Sequence, residues 1–332
     1  METFELGNFQ TTTGLTIPNT KLAYDTRGDL NAAKDNAILF PNFLGGTPAA
    51  LEMWIGEDRP LDPRKYFIIL PGLFGGGASS SPSNTAPPFD GGAFPALNIA
   101  DDVVAQHRLI TEKLGINELQ LILGWSVGAL QAYEWTIRFP SMVKRLASIA
   151  GAPKPSTWTK LWLRTVWEEP ITSDPAWNDG FCGDPLALQA SLRHVAHEMA
   201  MTLVPARLYR EELWRFAGFA SVDDFIRGIF EGFTRPQHPG NLVSVARKTH
   251  AADPSAGGDL AAALSRITAK TFVFAFTGDP MFPAEECKLD ADRIPHAKFR
   301  EISTLGGHLA TFALFEQDRQ AVDDAIQEAL AS

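Results

Sequence analysis

The sequence G-W-S-V-G at residues 124–128 constrains this chain most, because it lies between two different hydrophobic patterns. The apolar run 119–123 before it is typical of a buried strand, and residues 129–136 after it predict a helix. Such a strand-to-helix turn is so tight that a side chain at either glycine would collide with neighbouring backbone. Ser126 is thereby raised at the amino end of the helix, as a candidate nucleophile. The alternative is a glycine-rich turn that only closes a buried strand.

Short apolar runs bounded by Gly and Pro recur along the chain. They lie at residues 37–40, 66–70, 119–123, 146–150 and 271–276, with a more mixed run at 298–302. Continuous apolar runs are typical of strands buried on both faces, as in a parallel sheet. Helical patterns such as residues 99–114 separate the runs, and residues 1–36 indicate an antiparallel edge. The sequence therefore predicts an α/β fold with a doubly wound, mostly parallel sheet.

Residues 155–255 interrupt this alternation with a helical pattern that is rich in tryptophan. We interpret them as a helical cap (lid) inserted into a core formed by residues 1–154 and 256–332. Its tryptophans are Trp158, Trp162, Trp167, Trp177 and Trp214. Most of them are expected to pack within a small helical core. The functional alternative is that one or two line an apolar pocket over Ser126.

The composition excludes several classes of function. With 332 residues, 45% hydrophobic and 20% charged, the chain is ordinary for a globular protein. Its net charge of −10 argues against a nucleic-acid or anionic-membrane partner. The two cysteines, Cys182 and Cys287, have neither C-x-x-C nor zinc spacing, so we expect no metal, cofactor or disulfide framework. The first residues do not resemble a signal peptide, and no apolar stretch approaches the roughly 20 residues of a membrane span. We therefore expect a cytoplasmic protein.

A serine hydroxyl needs a base, and the base needs an acid that orients it. After an elbow of this type, the acid and then the histidine follow in chain order. Asp279 ends the stretch T-F-V-F-A-F-T-G-D that contains the predicted strand at 271–276, and His308 follows the run at 298–302 behind two glycines. The alternatives are an Asp-Pro turn and a histidine that caps a helix. Other aspartates lie in a polar linker or deeper in a helix: Asp253, Asp259, Asp290 and Asp292.

An acyl-serine reaction also needs two donors for the oxyanion. One is the backbone N–H of Val127, directly after the serine. The other is expected from the loop 41–46, where Phe43 or Leu44 is the candidate and two glycines permit close approach. Losing one such donor typically costs about 3–4 kcal/mol of transition-state stabilisation. The alternative for this loop is a plain turn at the end of a strand.

Several motifs together resemble one branch of a known superfamily. They lie at residues 42–46, 61–76, 98–104, 124–135, 278–283 and 307–308. This set is similar to the homoserine O-acetyltransferase branch of the α/β-hydrolases over nearly the whole chain, and least so in the predicted cap. The resemblance implies the α/β-hydrolase fold, a ping-pong mechanism through an acyl-serine, and often a homodimer packed through the cap. It assigns the nucleophile, acid and base to Ser126, Asp279 and His308.

The chain departs from that branch where the branch binds its amino-acid substrate. Homoserine acetyltransferases usually have G-G-S-M-G-G at the elbow, whereas Trp125 precedes the serine here. They usually have an aspartate after the histidine to hold the substrate ammonium, but this chain has Leu309, which leaves that cation unpaired. Arg193 is the nearest match to their carboxylate-binding cap arginine, although a structural arginine fits equally well. Trp125, Arg193 and Leu309 are the candidate substrate-binding residues.

These departures indicate a more apolar pocket, as in the transacetylase-like esterases of the same branch. The leading hypothesis is a serine carboxylic-ester hydrolase acting on small, acetyl-type esters. The alternative is an O-acetyltransferase that moves an acyl group from acyl-CoA to homoserine or another hydroxyl acceptor. A remote alternative is a non-catalytic binding protein on a hydrolase scaffold. The expected partner is a small-molecule ester, without nucleic acid or membrane, and with a homodimer through the cap as one possibility.

Overall fold

The computed structural model describes residues 1–331. Its strands are β1 (Glu2–Gln10), β2 (Thr16–Arg27), β3 (Ala37–Leu39), β4 (Phe67–Pro71), β5 (Leu121–Trp125), β6 (Arg145–Ile149), β7 (Lys270–Phe276) and β8 (Lys298–Ile302). Its α-helices are α1 (Ile99–Arg108), α2 (Val127–Arg138), α3 (Thr157–Trp162), α4 (Glu169–Thr172), α5 (Gln189–Thr202), α6 (Ala206–Arg210), α7 (Val222–Phe225), α8 (Gly232–Thr234), α9 (Pro239–His250), α10 (Leu260–Ser265), α11 (Ala284–Ala291) and α12 (Glu316–Ala331).

Within residues 1–331, the strands form one eight-stranded sheet in the order β1-β2-β4-β3-β5-β6-β7-β8. The β1–β2 and β2–β4 pairs are antiparallel, and the pairs from β4 to β8 are parallel. Each apolar run of the sequence falls on one of the strands β3 to β8, so the mostly parallel sheet is confirmed. The antiparallel edge predicted within residues 1–36 is confirmed as the β1–β2 hairpin.

Helices cover both faces of this sheet, because side chains alternate along each strand. Ile38 of β3 belongs to the same buried cluster as Val322 of α12. The next residue, Leu39, belongs to the cluster that contains Val103 of α1 and Ala132 of α2. A strand with apolar side chains on both faces is stable only when both faces are covered. The doubly wound arrangement is therefore confirmed.

The segment between β6 and β7 contains helices and no strand. We call residues 157–250, from the start of α3 to the end of α9, the helical insertion. Its division from the core at residues 154/155 and 255/256 stays a prediction. Among the described helices, none combines the length and the apolar character needed to cross a membrane.

The parallel strands bring distant residues of the chain to one edge of the sheet. The loops after β3, β5, β7 and β8 all leave the carboxyl ends of parallel strands, where α/β folds assemble their ligand sites. These loops carry residues 40–46, Ser126, Asp279 and His308.

Candidate active site

The backbone at Ser126 has a conformation that residues with side chains rarely adopt. Its φ is 51° and its ψ is −127°, between the end of β5 and the first turn of α2. The Ser126 N–H donates to the carbonyl groups of Ile149, 3.2 Å away, and Ala150, 3.1 Å away. The next strand thus holds the strained turn, and the serine side chain is raised above the sheet edge.

Both glycines of the elbow are required by close backbone approach. A Cβ atom built on Gly124 would lie 2.2 Å from the carbonyl O of Gly128. One built on Gly128 would lie 2.6 Å from the carbonyl O of Pro41, in the loop after β3. The missing side chain at Gly124 lets α2 pack on β5, and the missing side chain at Gly128 lets the loop after β3 approach the serine. The spacing of the motif therefore sets the distance between the nucleophile and the predicted oxyanion loop.

Ser126, His308 and Asp279 lie in one hydrogen-bonded series. Ser126 Oγ is 3.1 Å from His308 Nε2, and His308 Nδ1 is 2.8 Å from Asp279 Oδ2. The three side chains are almost fully buried. Since a carboxylate only accepts, His308 Nδ1 carries the proton and Nε2 is free to accept one from the serine. The structure brings the three predicted residues together, and their catalytic roles remain predictions.

Three further sets of hydrogen bonds hold Asp279 and His308 in place. Asp279 Oδ1 accepts the N–H groups of Met281 at 2.8 Å and Phe282 at 3.1 Å. The loop before His308 is held from α12, because both carboxylate oxygens of Asp318 accept N–H groups from residues 305 and 306, at 2.8 and 2.9 Å. Burial raises the pKa of Asp318 above its ordinary value. The helical insertion also contributes, since the His308 N–H donates to Leu203 O at 3.2 Å.

The loop after β3 forms a tight turn that distinguishes the two candidate oxyanion donors. The Gly46 N–H donates to the Phe43 carbonyl at 3.0 Å, and Gly45 has a φ of 73°, as at the third position of a type II turn. The Phe43 N–H is occupied by Asn42 Oδ1, 2.9 Å away. The Leu44 N–H makes no hydrogen bond to any other residue among 1–331. The geometry therefore favours Leu44 over Phe43 as the partner of Val127, the first residue of α2.

A cavity of about 200 Å³ adjoins the serine. Its lining is Phe43, Leu44, Trp125, Ser126, Trp162, Trp167, Met199, Leu203, Gly228, Ile229, Phe230, Phe233, Met281, His308, Leu309, Thr311 and Phe312. Among these lining residues, all within the described chain, none is Asp, Glu, Lys or Arg. The helical insertion supplies more than a third of them, Trp162 and Trp167 included. The cavity is therefore suited to a small apolar molecule.

The three candidate substrate-binding residues have different positions. Leu309 and Trp125 both line the cavity, and both are buried. Arg193 does not line it, so the prediction that it contacts the substrate needs correction. The Arg193 side chain is 63% exposed, and its Nε lies 3.1 Å from Glu231 Oε1 on the outer side of α5. The buried carboxylate of Glu231 thus holds the Arg193 guanidinium on the solvent-facing side of the helical insertion, outside the apolar cavity.

Sequence reasoning missed most of the cavity wall from the helical insertion. Met199 and Leu203 at the end of α5, and Ile229, Phe230 and Phe233 near α8, all line the cavity. Their only sequence signal is the helical spacing of apolar residues, which does not tell which face meets the serine. The described residues also contain no cluster of His, Cys, Asp and Glu that could hold a metal ion.

Comparison with known proteins identifies relatives over the whole chain. A family model for the alpha/beta hydrolase fold matches residues 42–312. The ethyl acetate hydrolase of Pseudomonas veronii is 38% identical over 334 residues, which cover 100% of this chain and 95% of that protein. The solved structure of the acetyl esterase MekB has a TM-score of 0.97 at 38% identity, with 100% of this chain and 96% of that chain covered.

A more distant relative is the homoserine O-acetyltransferase of Leifsonia xyli subsp. xyli. It is 30% identical over 322 residues, which cover 88% of this chain and 80% of that protein. The fold class that the resemblance implies is confirmed by these matches, and so is the branch that combines esterases with acetyltransferases.

Proposed function

Since this chain belongs to the alpha/beta hydrolase family, we propose that it is a serine carboxylic-ester hydrolase acting on small, acetyl-type esters. One observation carries the proposal. The hydrogen-bonded series of Ser126, His308 and Asp279 adjoins a cavity. Among the described residues that line this cavity, only His308 can carry a charge, and it does so when it is protonated. The similarity to an ethyl acetate hydrolase and to an acetyl esterase supports the same activity.

The reaction follows from the positions of the hydrogen-bonding groups. His308 Nε2 takes the proton of Ser126 Oγ as that oxygen attacks the ester carbonyl carbon. The negative charge that develops on the carbonyl oxygen is bound by the N–H groups of Val127 and Leu44. The carbon–alkoxy bond then breaks, and His308 gives its proton to the departing alcohol. Asp279 stabilises the imidazolium and holds its Nδ1 proton throughout.

The second half of the reaction regenerates the serine. The acyl-Ser126 ester is attacked by water, which loses a proton to His308 Nε2. The tetrahedral intermediate uses the same two N–H groups, and its collapse returns the proton to Ser126 Oγ and releases the carboxylic acid. Both halves need only groups of this chain and water.

The size of the cavity supports a short acyl group and a short alcohol. A volume of about 200 Å³ lies below the roughly 300–1,000 Å³ of pockets that bind drug-sized molecules. Such a cavity favours a molecule as small as ethyl acetate. The apolar lining favours neutral esters, because a charged substrate would lose its hydration without a partner.

Acyl transfer is the second candidate, because a homoserine O-acetyltransferase is 30% identical to this chain. The two functions share the acyl-serine and differ in whether water or a bound alcohol attacks it. The amino acid homoserine carries an ammonium and a carboxylate. Leu309 lies where the transferases usually have an aspartate, and Arg193 lies outside the cavity, so neither charge finds a partner. We therefore favour hydrolysis.

One pair of assays distinguishes these functions. Purified protein is incubated with 4-nitrophenyl acetate and with ethyl acetate, and separately with acetyl-CoA and homoserine. We expect acetate from both esters and no O-acetylhomoserine. Formation of O-acetylhomoserine faster than acetate contradicts the hydrolase. Ester turnover that persists in Ser126→Ala contradicts the serine mechanism, and inactivity of the wild-type protein in all assays favours a binding protein.

The remaining parts of the proposal concern partners and compartment. We propose a small neutral ester as the partner, with no nucleic acid or membrane involved, because the charge of −10 and the apolar cavity favour neither. Cys182 and Cys287 are both free thiols, which supports a reducing compartment such as the cytoplasm.

A further inference from the structure

A series of buried side-chain hydrogen bonds connects α2 to the loop that carries Leu44. The Trp135 Nε1–H donates to Gln106 Oε1 over 2.8 Å. Gln106 Nε2 donates to Gln131 Oε1 over 2.6 Å. Gln131 Nε2 donates to the carbonyl O of Asn42 over 2.7 Å. These four residues are all fully buried, so none of the groups can exchange its partner for water.

The two ends of this series determine the orientation of both amide groups. An indole N–H can only donate, so Gln106 must turn its oxygen towards Trp135 and its NH₂ towards Gln131. A backbone carbonyl can only accept, so Gln131 must present its NH₂ to Asn42. Reversing either amide would place two donors or two acceptors together at the reversed positions, without water to separate them. Each amide therefore has one permitted orientation.

Gln131 joins the two elements that supply the oxyanion donors. It lies four residues after Val127 on α2, and its Nε2 is also 3.4 Å from the Val127 carbonyl O. Through the carbonyl of Asn42 it holds the residue directly before the turn, and the Asn42 side chain holds the N–H of Phe43, the first residue of the turn. The Leu44 N–H follows directly in that turn. Its position relative to Val127 is therefore linked to the contact between Gln131 and Asn42.

We propose that Gln131, oriented by Gln106 and Trp135, is a positioning residue that keeps the Leu44 N–H aligned with the Val127 N–H around the oxyanion. The inference rests on the proposed ester hydrolysis. An oxyanion donor has its effect in the transition state, and a displacement of about 1 Å is enough to reduce that effect. Gln131 itself does not line the cavity.

The test uses Gln131→Met, which keeps the length of the side chain and removes its donor. With 4-nitrophenyl acetate, we expect kcat to fall by about 10- to 100-fold, less than the 10²–10³-fold typical of losing an oxyanion donor outright. KM should stay within about two-fold, because the ground-state ester does not depend on that donor. The control is Thr136→Val on the same helix, whose buried hydroxyl bonds only to Ala132 O within α2, and which should retain wild-type kcat.

A second readout separates positioning from a general loss of structure. Ethylboronic acid adds to Ser126 Oγ and places a boronate oxygen where the oxyanion lies. Its inhibition or dissociation constant should rise in Gln131→Met by the same factor by which kcat/KM falls. In the double variant with Gln106→Leu, the loss should equal that of Gln131→Met alone, because both changes interrupt one series. Circular dichroism checks that the variants are folded.

Each outcome decides between the alternatives. A folded Gln131→Met with wild-type kcat and wild-type affinity for ethylboronic acid overturns the inference. If that variant does not fold, Gln106→Leu, which leaves Gln131 in place, decides it by the same two measurements. If the wild-type protein does not hydrolyse the ester, the proposed function fails instead. The affinity for ethylboronic acid then still tests the positioning of the turn, because it requires no turnover.

Discussion

At the scale of single residues, Ser126 combines its proposed role as the nucleophile with a cost in backbone energy. A residue with a side chain in such a conformation costs on the order of 1–3 kcal/mol. The cost is tolerated because the Ser126 N–H is held by two carbonyl groups of the next strand region, and because the turn exposes the hydroxyl to His308. Stability and activity therefore oppose each other at this position.

Replacing the serine by two different small residues measures that opposition. Ser126→Ala keeps a Cβ and hence the strain, whereas Ser126→Gly removes it. Both variants should lose ester turnover. We expect Ser126→Gly to be more stable than Ser126→Ala by about 1 kcal/mol, the released strain less the extra entropy of an unfolded glycine. Urea unfolding measures the difference, and equal or lower stability of the glycine variant would show that the elbow is not strained.

The tautomer of His308 depends on Asp279, and this dependence can be tested without removing the loop contacts. In Asp279→Asn, the amide oxygen can still accept the N–H groups of Met281 and Phe282. The NH₂ then faces His308 Nδ1 and forces the proton onto Nε2, where it cannot accept from Ser126. We expect kcat for 4-nitrophenyl acetate to fall by about 10⁴-fold, with the melting temperature little changed. Asp253→Asn in the polar linker is the control, and comparable kcat values for the two variants would exclude the tautomer argument.

The sequence predicts some of these residues better than others for physical reasons. Ser126, Asp279 and His308 follow strand ends in a fixed chain order, and parallel strands bring their carboxyl ends together. The choice between Phe43 and Leu44 depends on one side-chain hydrogen bond from Asn42, which no pattern encodes. Whether Arg193 contacts the cavity depends on which face of α5 meets it, and the packing of the whole helical insertion determines that face.

At the scale of elements, the spacing of the elbow glycines sets how closely α2 packs on β5. In Gly124→Ala the new methyl group would lie 2.2 Å from a backbone oxygen, which cannot move without displacing the helix. We expect a loss of about 3 kcal/mol or more in unfolding free energy, together with lower ester turnover. Gly183→Ala is the matched control, because its Cβ would meet nothing within 4 Å. A destabilisation of Gly124→Ala no larger than that of the control would contradict this account of the elbow.

Elements with strong periodicity are predictable, and those stabilised mainly by their neighbours are not. The apolar runs give β3 to β8 because buried strands need side chains on both faces. In the helical insertion, α4, α6, α7 and α8 have five residues or fewer. Helices this short are not stable alone, so their bounds depend on tertiary packing rather than on local sequence. Nearly half of the residues that line the cavity come from the helical insertion. Its packing is not encoded in the local sequence, and for that reason the sequence predicts the proposed catalytic side chains better than the pocket.

At the scale of the molecule, a buried ion pair connects helix α1 of the core with the helical insertion. Lys248 Nζ of α9 lies 2.6 Å from Asp102 Oδ2 of α1, and both side chains are almost completely inaccessible. The two also bind the backbone of one residue in the loop after β4, because Asp102 Oδ1 accepts the Phe74 N–H at 2.8 Å and Lys248 donates to the Phe74 carbonyl at 2.6 Å. The pair thus fixes three segments at one point.

The homodimer suggested by the resemblance stays a prediction, and light scattering of the purified protein would test it.

Removing both members of this pair should destabilise the protein less than the two single losses added together. Lys248→Met or Asp102→Asn alone should cost about 3–5 kcal/mol, because a single charge or an unpaired polar group then stays buried. The double variant should cost less than the sum of the two. Neither residue lines the cavity, so kcat of the folded variants should match the wild-type value. Additive losses would show that the two residues stabilise the fold independently.

The same pair predicts how stability changes with pH. Burial raises the pKa of Asp102 to about 6 even beside Lys248. A carboxyl whose pKa is higher in the folded than in the unfolded chain binds its proton more tightly when folded, so its contribution to stability increases as the pH falls through the folded pKa. In Lys248→Met the attraction of the cation is lost and the pKa should rise further. The unfolding free energy of this variant should therefore increase between pH 8 and pH 6, where the contribution of Asp102 in the wild-type protein is only beginning to change. Urea unfolding at pH 8 and pH 6 measures this change in unfolding free energy. The control is the double variant Asp102→Asn/Lys248→Met, which lacks the titrating carboxyl. If both variants show the same pH dependence of unfolding free energy, Asp102 is not the source of that dependence.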